Sequence, residues 1–145
     1  MLKGIDPRMT ADLMDVLIRL GHGDELLLSD TNYPSHSNPS TSGQLIELPG
    51  FSMTDALSLI LPLLPIDGFT DYAALWMQRD GAGDTPDPVH QGIIDTIAPF
   101  LPDGGQIRSL ERQAFYAHAR GVYAVVRCTE TRPYGNVILR TGVVF

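Results

Sequence analysis

Apolar positions along the chain fall into short blocks whose spacing switches between a helical period and unbroken runs of strand length. After Thr10, a plausible N-cap, Leu13, Met14, Leu17, Ile18 and Leu20 recur at helical spacing while Asp12, Asp15 and Arg19 fall elsewhere on the wheel, which predicts a helix stopped by Gly21. Leu26-Leu27-Leu28 is apolar throughout and bounded by polar residues, so Glu25 to Ser29 reads as a strand buried on both faces. Thr31 to Gly43 is polar and rich in Pro, Ser and Asn, a 13-residue loop that leaves directly from Asp30. Loops of that length are usually functional or mobile, and this one is placed to close over a ligand.

Gln44 to Leu48 follows as a short strand, and Ser52-Met53-Thr54-Asp55 opens a helix with a capping box. That helix carries Ala56, Leu57, Leu59, Ile60, Leu63 and Leu64, with Pro62 set to kink or shorten it. A strand is expected at Ala73 to Met77, a turn-rich loop at Asp80 to Pro88, and a helix beginning at Asp87-Pro88 and marked by Ile93, Ile94, Ile97 and Phe100. Then come a brief strand at Gln106 to Leu110, a helix from Glu111 to Arg120 stopped by Gly121, a strand from Val122 to Thr129, a turn at Arg132 to Asn136, and a strand from Val137 to Thr141. Strands alternating with helices predict an α/β fold: a single layered domain over residues 1–145, with a largely parallel sheet flanked by helices.

Composition narrows the partners. At 145 residues, with roughly 70% of the unfolded surface buried on folding, one core suffices. No apolar run approaches a membrane span and no leader pattern is visible, so a soluble, non-exported protein with no membrane partner is expected. The one cysteine, Cys128, excludes an internal disulfide and fits a reducing, cytoplasmic compartment. Net charge is −7 and the ten Lys and Arg residues are scattered, so nucleic acid is not an expected partner.

Candidate chemistry concentrates around His22 and Asp30. His22 stands between Gly21 and Gly23, in a turn that permits unusual backbone angles and close approach of a ligand; the competing reading is an ordinary surface residue beyond a helix end. Asp30 falls at the carboxyl end of a predicted strand, where open α/β sheets bind ligands. Dinucleotide and Walker glycine motifs and a nucleophile elbow are absent, and Cys128 sits inside an apolar strand. His22, His36, His90 and His118 lack the spacing of common zinc motifs, so no metal is expected. What remains is acid/base chemistry on a neutral polar ligand.

Gly21-His22-Gly23-Asp24-Glu25, Ser29-Asp30 with Pro34 and His36-Ser37, Arg112-Gln113-Ala114-Phe115-Tyr116, Tyr134-Gly135-Asn136 and Gly142-Val143, in this order and spacing, resemble the D-ribose pyranase and L-fucose mutarotase family over nearly the whole chain. Phe115-Tyr116 and Gly135 resemble the fucose branch, whereas Thr31 to Gly43 and Gln78 to Pro102 depart more from the family pattern. The resemblance implies a cofactor-independent isomerase interconverting anomers, or ring forms, of a free monosaccharide such as L-fucose. It also implies His22 as proton donor, Tyr116 as a further acid/base group, Asp30, Arg112, Tyr134, Gly135 and Asn136 as sugar-binding residues, and a homo-oligomeric ring with the site near subunit contacts. The side-chain chemistry agrees, since histidine titrates near neutrality and Asp, Arg and Asn supply the acceptors and donors that hydroxyls need.

Plainer roles compete: Asp24 as a brace of the His22 turn, His36 as a solvated loop residue, Arg112 as an exposed helix charge, and Tyr116 as a core aromatic. At the level of function the alternatives are a non-catalytic monosaccharide-binding or sensing protein and a D-ribose pyranase. An enzyme for a phosphorylated sugar is disfavoured because no glycine-rich loop or basic cluster is present to receive the anion.

Overall fold

The centre of the sheet is β1 (Glu25–Ser29), whose five residues are all buried. The structure is a computed structural model that describes residues 2–145. The other elements are α1 (Ala11–Arg19), β2 (Gln44–Leu48), α2 (Met53–Ile60), β3 (Ala74–Met77), α3 (Pro88–Ile97), β4 (Ile107–Leu110), α4 (Arg112–Ala119), β5 (Ala124–Cys128) and β6 (Val137–Arg140). The six strands lie in the order β2-β5-β1-β6-β3-β4. β1 pairs in parallel with β5 and antiparallel with β6, in registers that set Leu26 opposite Ala124 and Leu139. β2 pairs with β5 and β3 with β4 in parallel, so β6 alone runs against the other five. The fold is therefore α/β with a mostly parallel sheet, as the alternation of strands and helices predicts.

Side chains alternate between two apolar layers. Leu26, Leu28, Val126, Val137 and Leu139 point to the layer completed by α1, α2 and α3. Leu27, Val125, Leu75 and Ile138 point to the layer closed by Phe115 and Ala119 of α4. A run with no polar position is what a strand covered on both faces requires.

Local chemistry accounts for the helix ends. Thr10 caps α1 by accepting the Leu13 N–H, and Ser52 with Asp55 forms the expected capping box on α2. α2 stops at Ile60, two residues before Pro62, so Leu63 and Leu64 lie outside it. Phe100 likewise lies beyond α3, in a single 3-10 turn, Ala98–Phe100. Glu111 precedes α4 and its carboxylate accepts the Gln113 and Ala114 N–H groups. Where predicted strands are shorter in the structure, their ends bond elsewhere: the Val122 carbonyl accepts the Thr41 N–H, the Thr129 N–H donates to Phe51, and Thr141 forms an isolated bridge to Ile66 while its N–H donates to Asp24 and its carbonyl accepts from Gly23.

The direction of β6 places the site. Because β6 opposes β1, the residues entering β6 share a sheet edge with those leaving β1. Asp30 and Asn136 meet at that edge; His22 and Thr141 lie at the other.

Candidate functional site

At the carboxyl edge a cavity of about 420 Å³ is lined by Asp30, Asn32, Tyr33, Met77, Asp80, Arg112, Tyr116, Pro133, Tyr134 and Asn136. Five of the seven expected site residues, Asp30, Arg112, Tyr116, Tyr134 and Asn136, therefore come together, and Gly135 backs the wall. Asp30 is 1% exposed and its carboxylate accepts four N–H groups: Asn32 and Tyr33 at 3.0 and 2.8 Å, and Gly135 and the Asn136 amide at 3.1 and 3.2 Å. The Asp30 N–H in turn donates to Asn136 Oδ1 at 2.8 Å. Asp30 thus builds the wall it belongs to, tying the turn before β6 to the end of β1. Burial pushes its carboxyl above the usual aspartate value, against the pull of those four donors.

Tyr134 enters that turn at φ 63°, the only positive value outside glycine among the described residues. Gly135 is held by close approach, since a Cβ there would meet Glu130 Cγ and Val89 Cγ2, each at 3.0 Å. The opposite wall comes from α4, where Arg112 and Tyr116 are one turn apart on one face, with the guanidinium 6.0 Å from the ring centroid. Arg112 Nε donates to Asp80 at 2.8 Å. That guanidinium holds the Asp80 carboxyl below its usual range, and the carboxylate raises the Arg112 pKa further.

His22 stands elsewhere. It precedes β1, in a turn where Gly23 takes φ 87° and Asp24 Oδ2 accepts the Gly21 N–H at 2.8 Å. β1 alone puts roughly 17 Å, five residues at about 3.3 Å each, between this turn and Asp30. A single chain therefore does not bring the expected proton donor to the expected sugar-binding residues, although both belong to one stretch of sequence. Half-exposed His22 directs Nε2 to Oδ1 of fully buried Asp67, 3.3 Å away, and packs edge-on against Phe69. Burial works against the Asp67 charge, but the Thr70 hydroxyl, the Phe69 N–H and His22 outweigh it and hold the carboxyl below its usual value. Around His22 the surface is apolar: Ile18, Leu63 and Val144 share a groove with it, and Ile18, Phe69 and Val144 are each more than 60% exposed.

His36 is 78% exposed, near Glu47 and away from the cavity. The Thr31–Gly43 loop is tethered along its length: Asn38 donates to Tyr33 Oη and to the Tyr116 carbonyl, and the Thr41 and Ser42 N–H groups donate to Val122 and Tyr123. Among the described residues no group of three or more His, Cys, Asp or Glu side chains could hold a metal ion, and no helix is long and apolar enough to cross a membrane.

The family profile of the RbsD / FucU transport protein family matches residues 3–144. The chain belongs to the RbsD / FucU family. An L-fucose mutarotase of Histophilus somni is 39% identical over 144 residues, covering 99% of this chain and 97% of its own. A fucose mutarotase of Streptococcus pneumoniae, solved in complex with L-fucose, superposes with a TM-score of 0.87 at 35% identity, over 99% of this chain and all of that one. Bacillus subtilis RbsD, solved with D-ribose, superposes over the full length of both chains at a TM-score of 0.78 but is 20% identical, a likeness of fold alone.

Within this RbsD / FucU chain, three residues that sequence reasoning missed also take part. Tyr33 packs against Tyr116 with centroids 5.4 Å apart and the rings tilted by 45°, Asp80 pins Arg112, and Asp67 backs His22. Asp80 follows β3 as Asp30 follows β1, so the carboxyl-end rule that selects Asp30 selects it too. For Asp67, 45 residues from His22, no local signal exists.

Proposed function

We propose that this chain, acting as a single domain, is a monosaccharide mutarotase that interconverts the anomers of L-fucose or a closely related sugar without a cofactor. The observation that carries the reading is the polar cavity bounded by Asp30, Arg112, Tyr116, Tyr134 and Asn136 in a chain more than a third identical to L-fucose mutarotases. Its walls offer a hydroxyl, a guanidinium and an amide around a space large enough for a hexose, while the carboxylate and the Arg112 charge are each engaged by neighbouring groups. That balance suits a neutral ligand better than a phosphorylated one.

Mutarotation needs a proton delivered to the ring oxygen as the bond from the anomeric carbon to that oxygen breaks, and a proton taken from the anomeric hydroxyl, which becomes the aldehyde. Rotation of the aldehyde and reclosure, with both transfers reversed, give the other anomer. Tyr116 in the cavity is one participant. His22, oriented by Asp67, is the other, and it reaches the sugar from a second copy of the chain, whose apolar His22 surface covers the cavity mouth of its neighbour. The separation of His22 from the cavity and the exposed Ile18, Phe69 and Val144 around it support this shared-site assembly.

Saturation-transfer NMR on equilibrating L-fucose, D-ribose and D-galactose with catalytic amounts of protein tests the proposal. Faster exchange between the anomeric protons of L-fucose is expected, with D-ribose accelerated less. Binding without any gain in exchange would leave a sugar sensor in its place.

A further inference from the structure

His90 takes no part in the proton transfers, yet it is the histidine most completely defined by its surroundings. It is fully buried on α3 and stacked on Trp76, ring centroids 4.5 Å apart at 30°. Both ring nitrogens meet backbone. The Asp87 N–H donates to Nδ1 at 2.9 Å, and Nε2 lies 3.0 Å from the Tyr134 carbonyl oxygen. A nitrogen that accepts cannot carry a proton, so the proton is on Nε2 and is donated to Tyr134. Burial lowers the His90 pKa, in keeping with a neutral ring.

The accepting carbonyl belongs to the peptide between Tyr134 and Gly135, and the N–H of that same peptide donates to Asp30 Oδ2 at 3.1 Å. One peptide plane is thus gripped at both ends, by His90 from α3 and by Asp30 from the end of β1. Tyr134, which precedes the plane, holds the left-handed backbone, and Asn136, which follows it, donates its own N–H back to the Tyr134 carbonyl at 2.8 Å. A flip of this plane would turn its N–H away from Asp30 and its carbonyl away from His90 Nε2 and the Asn136 N–H, releasing the turn that carries Tyr134 and Asn136 at the cavity wall.

We propose that His90 is a positioning residue for sugar binding, whose Nε2–H locks the 134–135 peptide so that Tyr134 and Asn136 face the Asp30 cavity. The proposal rests on the reading of that cavity as the sugar site. It differs from a helix-capping role, because the cap uses only Nδ1 and the lock only Nε2.

Two substitutions separate those contacts. In His90→Asn the side-chain oxygen can take the place of Nδ1 and keep the cap, with no donor for Tyr134; in His90→Gln the amide nitrogen can take the place of Nε2 and keep the lock. L-fucose titration of the full chain should show His90→Asn weakened about fivefold or more, the factor expected for roughly one hydrogen bond, with His90→Gln nearer the parent. Hydrogen exchange at the Gly135 amide, read without sugar, should be faster in His90→Asn and protected in His90→Gln. In the parent protein, long-range ¹⁵N–¹H spectra should show His90 as the Nε2–H tautomer, which does not depend on the variants folding. Equal losses in both variants, an unaltered Gly135 amide in His90→Asn, or an Nδ1–H or doubly protonated ring at neutral pH overturns the lock. If Arg112→Met also leaves fucose binding intact, the cavity reading fails and the proposal falls with it; if Arg112→Met abolishes binding while His90→Asn does not weaken it, the lock alone fails.

Discussion

His22 and Asp30 are both candidates for direct contact with the sugar, yet their surroundings predict opposite consequences of removal. His22 is half-exposed in a glycine-flanked turn, and its buried partner Asp67 keeps the Phe69 N–H and the Thr70 hydroxyl without it, so His22→Ala should melt near the parent temperature while anomer exchange falls about 10²–10⁴-fold, the usual contribution of a general acid or base. Wild-type exchange rates in a folded variant would remove His22 from the mechanism. Asp30→Asn, by contrast, turns one acceptor oxygen into a donor facing groups that already donate. A loss of about 1–3 kcal/mol in urea unfolding should accompany its loss of sugar binding, the cost of leaving buried donors unpaired. Tyr116→Phe removes a hydroxyl and keeps the ring packing against Tyr33. Its stability should change by no more than roughly 0.5–1.5 kcal/mol while L-fucose exchange drops at least about tenfold, and D-ribose interconversion should suffer less. Unchanged rates on both sugars would return Tyr116 to a packing role.

Among the elements, the joint between the end of β5 and the start of α2 has a pH dependence of its own. Glu130 is buried, and the Arg132 guanidinium and N–H, with the Met53 N–H at the start of α2, hold its carboxyl down at about 2 although burial works the other way. A folded pKa below the unfolded value near 4.5 means that the contribution is complete above 4.5 and is lost as pH falls from there toward 2. The difference corresponds to something on the order of 3 kcal/mol. Stability measured by denaturant across this range should therefore fall more steeply in the parent than in Glu130→Gln; parallel curves would mean that Glu130 titrates normally. Elements such as these were largely legible in the sequence, because their signals are local: Thr10 and Ser52 mark helix starts, Pro62 marks a stop, and the short, bounded run Leu26-Leu27-Leu28 suits a doubly covered strand. The candidate cavity was legible in its strand-end and motif residues, Asp30, Arg112 and Asn136. What escaped is contact across long separations, as between His22 and Asp67, and the direction of β6, since a final strand after a turn at Arg132 to Asn136 reads equally well in either sense.

For the whole molecule, the placement of His22 and the Asp30 cavity at opposite ends of β1 turns assembly into a question about activity. If each site is completed by two copies, His22→Ala and Arg112→Met subunits, each inactive alone, should complement when unfolded together and refolded as a mixture. Random pairing would restore about a quarter of the sites, those joining the intact cavity of one variant to the intact His22 of the other. Exchange activity in the mixture no greater than the sum of the separate variants would show that the two halves of the site do not come from different copies.

The left-handed backbone at Tyr134 has a bearing on how such a protein can be improved. Asn and Gly adopt that conformation more readily than Tyr, so either would relieve strain on the order of 1 kcal/mol at this position. The same change would strip the cavity of one aromatic wall. Selection for heat resistance alone would favour it, and the variants it enriched would be sturdier proteins with, on the proposed function, a poorer grip on the sugar.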